Sequence, residues 1–268
     1  MGLAAFVGGT AGASIETYWS VSWSLPPGEE VHQRIVDFPA ITLSIEAGDV
    51  PAAFVATTVR PQAWSRVIRG RGSVFAIRLR PAGLAVLSDL DPTLLAHEQE
   101  ISPHLDAGLH EVLSLIAGAP TTTDGSRRAD ELIRDALRDR PIGRAQVLAN
   151  AAVEALTAAP RVRPGGAVAA ELGVSERTLQ RALRATVGIG PNDVARRIRL
   201  QEVVRRLSAP ATGIAAIAAE LGYAEQAHLI TEFRTVSGST PGRYMRRVQA
   251  SNVQLQSLAT LSAPQNDA

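Results

Sequence analysis

The sequence predicts an α+β protein, with a small β-rich domain carrying a helical pair in front and an all-α domain with two helix-turn-helix units behind. Three observations carry that prediction. Between about residues 15 and 80, apolar and polar residues alternate with the period of a half-buried strand. From Ala82 onward the apolar spacing lengthens to that of a helix. Finally, residues 169–247 contain one helical unit written twice. Ala-Ala-Glu-Leu-Gly at residues 169–173 returns 49 residues later at 218–222. One extra residue after the turn makes the offset 50. Leu179 then matches Leu229, Leu183 Phe233, Arg184 Arg234, Gly188 Gly238 and Pro191 Pro241, and Arg196-Arg197 returns as Arg246-Arg247. A fixed period of small helices marks a repeated supersecondary unit.

The chain has 268 residues, 46% of them hydrophobic, enough for one or two domains with a substantial core. No run approaches the ~20 apolar residues that span a bilayer. Residues 1–14 are small and apolar, but no basic residue precedes Leu3, Ala4, Ala5, Phe6 and Val7, which argues against a signal peptide. With no cysteine there is no disulfide framework or thiolate chemistry. The cytoplasm is the default location, and no membrane partner is expected. The overall charge of +1 hides an asymmetry: residues 141–250 carry 15 arginines against 8 acidic residues, whereas residues 1–140 carry 12 against 17. A basic half joined to an acidic half reads as a polyanion-binding module beside a module with another task.

In the front half, Phe75, Ile77 and Leu79 alternate with Ala76, Arg78 and Arg80. Ile41, Leu43 and Ile45 do the same before the turn at Gly48-Asp49, and residues 52–59 form a third strand-like run. Pro26-Pro27-Gly28, Pro39, Pro61, residues 70–72 and Pro81 punctuate them, as in a small sheet, sandwich or barrel. Leu84, Val86 and Leu87 open the helical part, and Leu105, Leu109, Val112, Leu113 and Ile116 share one helix face. Residues 117–126 read as a loop, and residues 128–138 as an amphipathic helix ending before Pro141. This helix pair is free to pack on the β unit, on another subunit, or on both.

No catalytic machinery is legible, for the chain lacks a glycine-rich phosphate loop and a nucleophile elbow. A metal-binding barrel needs two or three imidazoles and a carboxylate converging from strands. Of His32, His97, His104 and His110, only His32 lies in the β-rich part, so neither metal nor cofactor is expected. Tyr18, Trp19, Trp23 and Trp64 are either core residues, the better reading, or the lining of an apolar ligand pocket.

In the back half, residues 144–158 form a helix with Val147, Leu148, Ala151, Ala155 and Leu156 on its apolar face. Residues 167–172, a turn at Gly173, an N-cap at Ser175 and a helix over 176–186 then spell helix-turn-helix. Leu179 and Leu183 face inward, leaving Arg177, Thr178, Gln180, Arg181 and Arg184 outside. Such side chains suit base edges and phosphates, with Arg to guanine and Gln to adenine. A merely solvated charged face would look similar, but the second copy decides between them. Residues 214–221, Gly222 and residues 225–236 repeat the motif, with Gln226, Ala227, His228, Thr231 and Arg234 outward. Between the copies, residues 193–207 read as one helix, roughly 22 Å long at 1.5 Å per residue. It carries a basic surface of Arg196, Arg197, Arg199, Arg205 and Arg206. A connector of that length can hold two recognition helices in successive major grooves about 34 Å apart.

Residues 173–184 (Gly-Val-Ser-Glu-Arg-Thr-Leu-Gln-Arg-Ala-Leu-Arg), Gly188-Ile-Gly-Pro and residues 197–207 (Arg-Ile-Arg-Leu-Gln-Glu-Val-Val-Arg-Arg-Leu) resemble the AraC/XylS family of transcription regulators. The most specific stretch is residues 217–234, in which Gly222-Tyr223 is followed by His228-Leu229 and Phe233-Arg234, then Gly238 and Pro241. The resemblance covers about residues 144–248. It implies a seven-helix module whose two helix-turn-helix units bind adjacent major-groove segments of double-stranded promoter DNA. It makes Arg177, Gln180 and Arg181 the base-reading set of the first unit, supported by Ser175, Thr178 and Arg184. Gln226, Ala227, His228, Thr231 and Arg234 occupy the second unit's places. The family often has arginine near Thr231 and a longer polar residue near Ala227, so the second unit is expected mainly to touch phosphates. For His228, a DNA contact and a structural role both stay open.

Tyr18-Trp19 and residues 75–83 also resemble cupin-like sensor domains found ahead of this module. That implies a sensor and dimerisation domain over residues 1–140 (β-rich 15–80, helical 82–140) and a DNA-binding domain over 141–250. Residues 251–268 read as a frayed tail. The expected function is a transcription regulator and activator, not an enzyme, whose further partners are a small-molecule effector, a second copy and RNA polymerase. Two alternatives stand beside it for the front half: a cupin-type enzyme fused to a DNA-binding domain, or a purely dimerising domain with no ligand.

Overall fold

The computed structural model describes residues 7–8, 12, 14–163, 166–208 and 213–247. The expected tail at 251–268 lies outside the described residues. Eight strands come first: β1 (Val7–Gly8), β2 (Ile15–Ser24), β3 (Glu30–Ile35), β4 (Thr42–Gly48), β5 (Phe54–Thr57), β6 (Trp64–Arg69), β7 (Arg71–Leu79) and, after the short helix α1 (Gly83–Leu87), β8 (Glu98–Glu100). They form an antiparallel six-stranded sheet in the order β1-β2-β7-β4-β5-β8, and a two-stranded sheet of β3 and β6. An α+β architecture, β-rich first and helical second, is what the period change predicts. The β-rich part nevertheless runs past residue 80, because residues 98–100 add an edge strand beside β5. Glu98, Gln99 and Glu100 are all polar and only three residues long, so periodicity could not reveal them.

The alternation along each strand separates two faces. Tyr18, Leu43, Ile77 and Leu79 are buried with Leu109, Leu113 and Ile133 under helices α2 (Ala107–Ala117) and α3 (Thr122–Asp139). Tyr18 donates its hydroxyl to Asp130 of α3 at 2.6 Å, which ties the helix pair to this sheet. On the opposite face Trp23, Val31 and Ile68 close the gap between the two sheets. Arg66 lies there between Glu46 at 2.7 Å and Glu98 at 2.5 Å. Tyr18 and Trp23 are therefore core residues, whereas Trp19 and Trp64 are only half-buried. The expected loop over residues 117–126 is too long. Thr121 caps α3 by accepting from the Asp124 amide at 3.1 Å and donating to its carboxylate at 2.6 Å. A Thr-x-x-Asp capping arrangement starts a helix where three threonines and a glycine suggested none.

The helical half comprises α4 (Arg144–Ala158), α5 (Ala167–Glu171), α6 (Glu176–Val187), α7 (Pro191–Leu207), α8 (Ile214–Glu220), α9 (Gln226–Ser237) and a last helix, α10, over residues 241–247. Seven helices are thus present among the described residues. Two small cores divide along the repeat. Val153, Leu156, Val168, Leu179, Leu183 and Ile198 fill the first. Leu200, Ile217, Leu221, Leu229, Phe233 and Tyr244 fill the second.

The two halves also share buried contacts. Phe38 packs into the first small core, and Val36 and Ala63 belong to the second. The Tyr244 hydroxyl accepts from the Val36 amide at 3.1 Å, and the Ala63 amide donates to the Val236 carbonyl at 2.8 Å. On α4, Asn150 accepts from the Ala82 amide at 3.1 Å, and Glu154 pairs with Arg80 at 2.7 Å. Arg197 was expected on a basic surface and is instead 3% exposed. It pairs with Asp37 at 2.9 Å and donates to the carbonyls of Arg60 and Gln62. The helical period alone cannot distinguish a face turned to solvent from one turned to another domain.

Candidate nucleic-acid interface

Each helix-turn-helix unit is built from the same local bonds. At the first turn Gly173 has φ +66°, its amide donates to Ala170 at 3.1 Å, and Val174 donates to Ala169 at 2.9 Å. At the second, Gly222 has φ +77°, its amide donates to Ala219 at 3.1 Å, and Tyr223 donates to Ala218 at 2.9 Å. A residue with a Cβ is strained at positive φ, so the turn requires glycine in both copies. The second helix of each pair then buries its matched apolar residues, Leu179 and Leu183 in α6 and Leu229 and Phe233 in α9.

Burying those residues turns the polar ones outward. Arg177, Gln180, Arg181 and Arg184 of α6 are exposed, as are Gln226, Ala227, His228, Thr231 and Arg234 of α9. Ser175 is exposed and caps α6, accepting from the Thr178 amide at 3.2 Å. Thr178 is only half-buried, with its hydroxyl 2.9 Å from that of Ser175. The copies differ here, because the N-cap position of α9 is Glu225, which makes no side-chain cap.

Helices α6 and α9 lie on opposite walls of a cleft of about 750 Å³. Gln180 and Arg184 line one wall, and His228, Thr231 and Thr235 the other. The floor is α7, through Asp193, Arg196 and Arg199. Arg199 is fixed there: its Nε donates to the Tyr223 hydroxyl at 2.9 Å, and it pairs with Glu232 at 2.6 Å. Burial works against its charge, but Tyr223 and Glu232 together hold its pKa above the ordinary arginine value. Burial likewise pushes the Tyr223 hydroxyl up to about 12. His228 sits edge-on to the Tyr223 ring at 5.3 Å and 4.0 Å from Glu232. Its side chain is 56% exposed, so it supports the cleft wall while remaining open to solvent.

Sequence reasoning missed a second link between the units. The segment joining α4 to α5 crosses to the far turn, where the Val162 amide donates to the Leu221 carbonyl at 2.8 Å. Its neighbour Arg163 pairs with Glu171 of the first unit at 2.8 Å. A backbone bond of this kind leaves no residue-type signal.

The comparisons with known proteins follow the same division. Residues 168–247 match the family described as a helix-turn-helix domain. A Streptomyces antibioticus protein described as an AraC-like transcription regulator is 35% identical over 79 residues, 30% of this chain. Residues 168–247 are a helix-turn-helix domain, similar to a stretch of that AraC-like regulator. The chain spans about a quarter (26%) of the length of that curated relative. Residues 12–100 match a domain of unknown function (DUF6597), a range that includes the edge strand at 98–100. Solved structures of ToxT from Vibrio cholerae are similar at 11% identity: one has a TM-score of 0.48 and covers 86% of this chain and 98% of that one, another a TM-score of 0.47 with 86% and 97%.

Proposed function

We propose that this chain is a sequence-specific, DNA-binding transcription regulator that works in the cytoplasm on double-stranded promoter DNA. One observation carries the reading: two matched helix-turn-helix units leave polar helix faces exposed beside a single cleft, with Gln180 and Arg184 of one and His228 and Thr231 of the other on its walls. On this reading Arg177, Gln180 and Arg181 reach base edges, while Ser175, Thr178 and Arg184 hold phosphates. The second unit, with Gln226, Ala227, His228, Thr231 and Arg234, contributes mainly backbone contacts. Ala227 and Thr231 offer little for bidentate base recognition. Residues 1–140 act as a sensor and dimerisation domain, biasing DNA binding through a small-molecule effector, a second copy, or both, with RNA polymerase as a downstream partner. Residues 141–250 act as the DNA-binding domain.

The buried contacts made by Val36, Asp37, Phe38 and Ala63 support such coupling, because they join the β-rich half to both small cores and to α7. Selection of bound sequences from random DNA with the full chain tests the proposal. A site of two boxes within ~20 base pairs is expected from helices held in successive grooves. Enrichment of no motif would overturn it.

A further inference from the structure

Two successive major grooves on one face of a duplex are separated by the minor groove and the two phosphate strands that border it. With α6 and α9 in those grooves, the cleft floor between them meets sugar and phosphate rather than base edges. Five arginines line this cleft, at 161, 163, 184, 196 and 199. Their surroundings separate them by availability. Arg199 is held by Tyr223 and Glu232, and Arg163 by Glu171 at 2.8 Å. Arg184 lies on the recognition helix itself. Arg196 is loosely held, 3.7 Å from Asp193 and 3.9 Å from Glu232, beyond hydrogen-bond length, and its side chain is 44% exposed. Arg161 is exposed, and no ion pair is found for it among the described residues. Its backbone is nonetheless anchored, because its amide donates to Ala159 at 2.8 Å and the next residue, Val162, is tied to Leu221.

We infer that Arg161 and Arg196 form a phosphate clamp in the floor and rim of the cleft, gripping the backbone strands that border the minor groove between the two recognition helices. The inference rests on the DNA-binding reading above. An arginine whose backbone is already fixed has only its side chain left to order on meeting a phosphate, and it releases a counterion when it does. The contact carries no base information, so it strengthens cognate and random sequences alike. It also ties the second unit to DNA without demanding base readout from Ala227 or Thr231.

Arg161→Ala, Arg196→Ala and their combination test the clamp in the full chain, with binding followed across a salt titration on the selected site and on random duplex. Arg205→Ala is the control: this arginine lies on the same helix, is 71% exposed, and pairs with Glu202 outside the cleft. Each clamp substitution is expected to reduce the slope of log affinity against log salt by about 0.9, hence by about 1.8 for the pair, with equal weakening on both DNAs. The control is expected to leave the slope unchanged, and thermal unfolding of all variants should match the wild type. An unchanged slope in the double variant, or one no different from the control, would overturn the clamp while leaving the DNA-binding reading intact. Weakening confined to A·T-rich duplexes would overturn it in favour of an arginine inserted into the minor groove. A wild-type chain that binds no DNA with a salt-dependent affinity would overturn the functional reading and the clamp together.

Discussion

Arg197→Ala should be among the most damaging single changes in the helical half, although it touches neither recognition helix. Its side chain is 4% exposed and pairs with Asp37, 20% exposed, at 2.9 Å. It also serves the carbonyls of Arg60 and Gln62. Truncation strands a carboxylate and two carbonyl oxygens at a domain interface. Breaking a buried pair from one side typically costs 3–5 kcal/mol. For a chain of this size each kcal/mol shifts Tm by about 2–4 °C, so a drop of roughly 6–20 °C is expected. All three tryptophans, Trp19, Trp23 and Trp64, lie in the β-rich half, so their fluorescence reports that half while far-UV circular dichroism follows the helices. Wild type should show coincident transitions by the two probes, and the variant separated ones, because the lost contact is the joint between halves. Replacing both partners, Asp37→Leu with Arg197→Met, should recover most of the loss, since no charge is left unpaired. A cost below about 1 kcal/mol for Arg197→Ala, with the probes still coincident, would refute the argument that this pair joins the domains.

Four further outcomes follow from particular contacts. Burial pushes the Asp37 carboxyl from 3.8 up to about 6, so the folded chain holds this proton more tightly than the unfolded one. Its contribution to stability is therefore full below pH 3.8 and lost as pH rises through 6, by at most about 3 kcal/mol; Asp37→Asn should flatten that part of the stability–pH curve measured by urea unfolding. Arg181→Ala should cost about 1–3 kcal/mol on a selected site and relax preference at one base pair, whereas equal weakening on random DNA would make Arg181 a phosphate contact only. Ser175→Ala should lose about 1 kcal/mol with the α6 cap, and Glu225→Ser should gain up to a similar amount by capping α9, both readable by thermal unfolding. Gly173→Ala and Gly222→Ala should each cost roughly 1–2 kcal/mol, since both turns need positive φ; a marked difference between them would mean that the repeat is not energetically equivalent.

The helical half was largely legible because its information is local and duplicated. Glycine turns, the Ser175 cap and the inward Leu179, Leu183, Leu229 and Phe233 are set by residue type at fixed offsets, and the second copy repeats the turn and the inward positions, though not the cap. The outward residues follow by elimination around the helix. What stayed hidden depends on partners far along the chain. Nothing near Arg197 announces Asp37, 160 residues away, and basic neighbours at Arg196 and Arg199 made it look like part of one surface. The Val162–Leu221 tie is made by backbone groups, which every sequence possesses. The start of α3 was missed because Thr121 and Asp124 act as a pair, whereas Thr and Gly counted singly read as loop. In the β-rich half, the long strands with alternating apolar residues were visible, but the three polar residues of β8 were not.

On the proposed function, one chain grips two successive major-groove segments and the backbone between them. Hydroxyl-radical footprinting of the full chain on a selected site tests it most directly. Two protected patches are expected about one helical turn apart on the same face, joined by protection across the intervening minor groove that weakens in the Arg161→Ala/Arg196→Ala double variant. A single short patch, from one unit alone and unaffected by those substitutions, would contradict it.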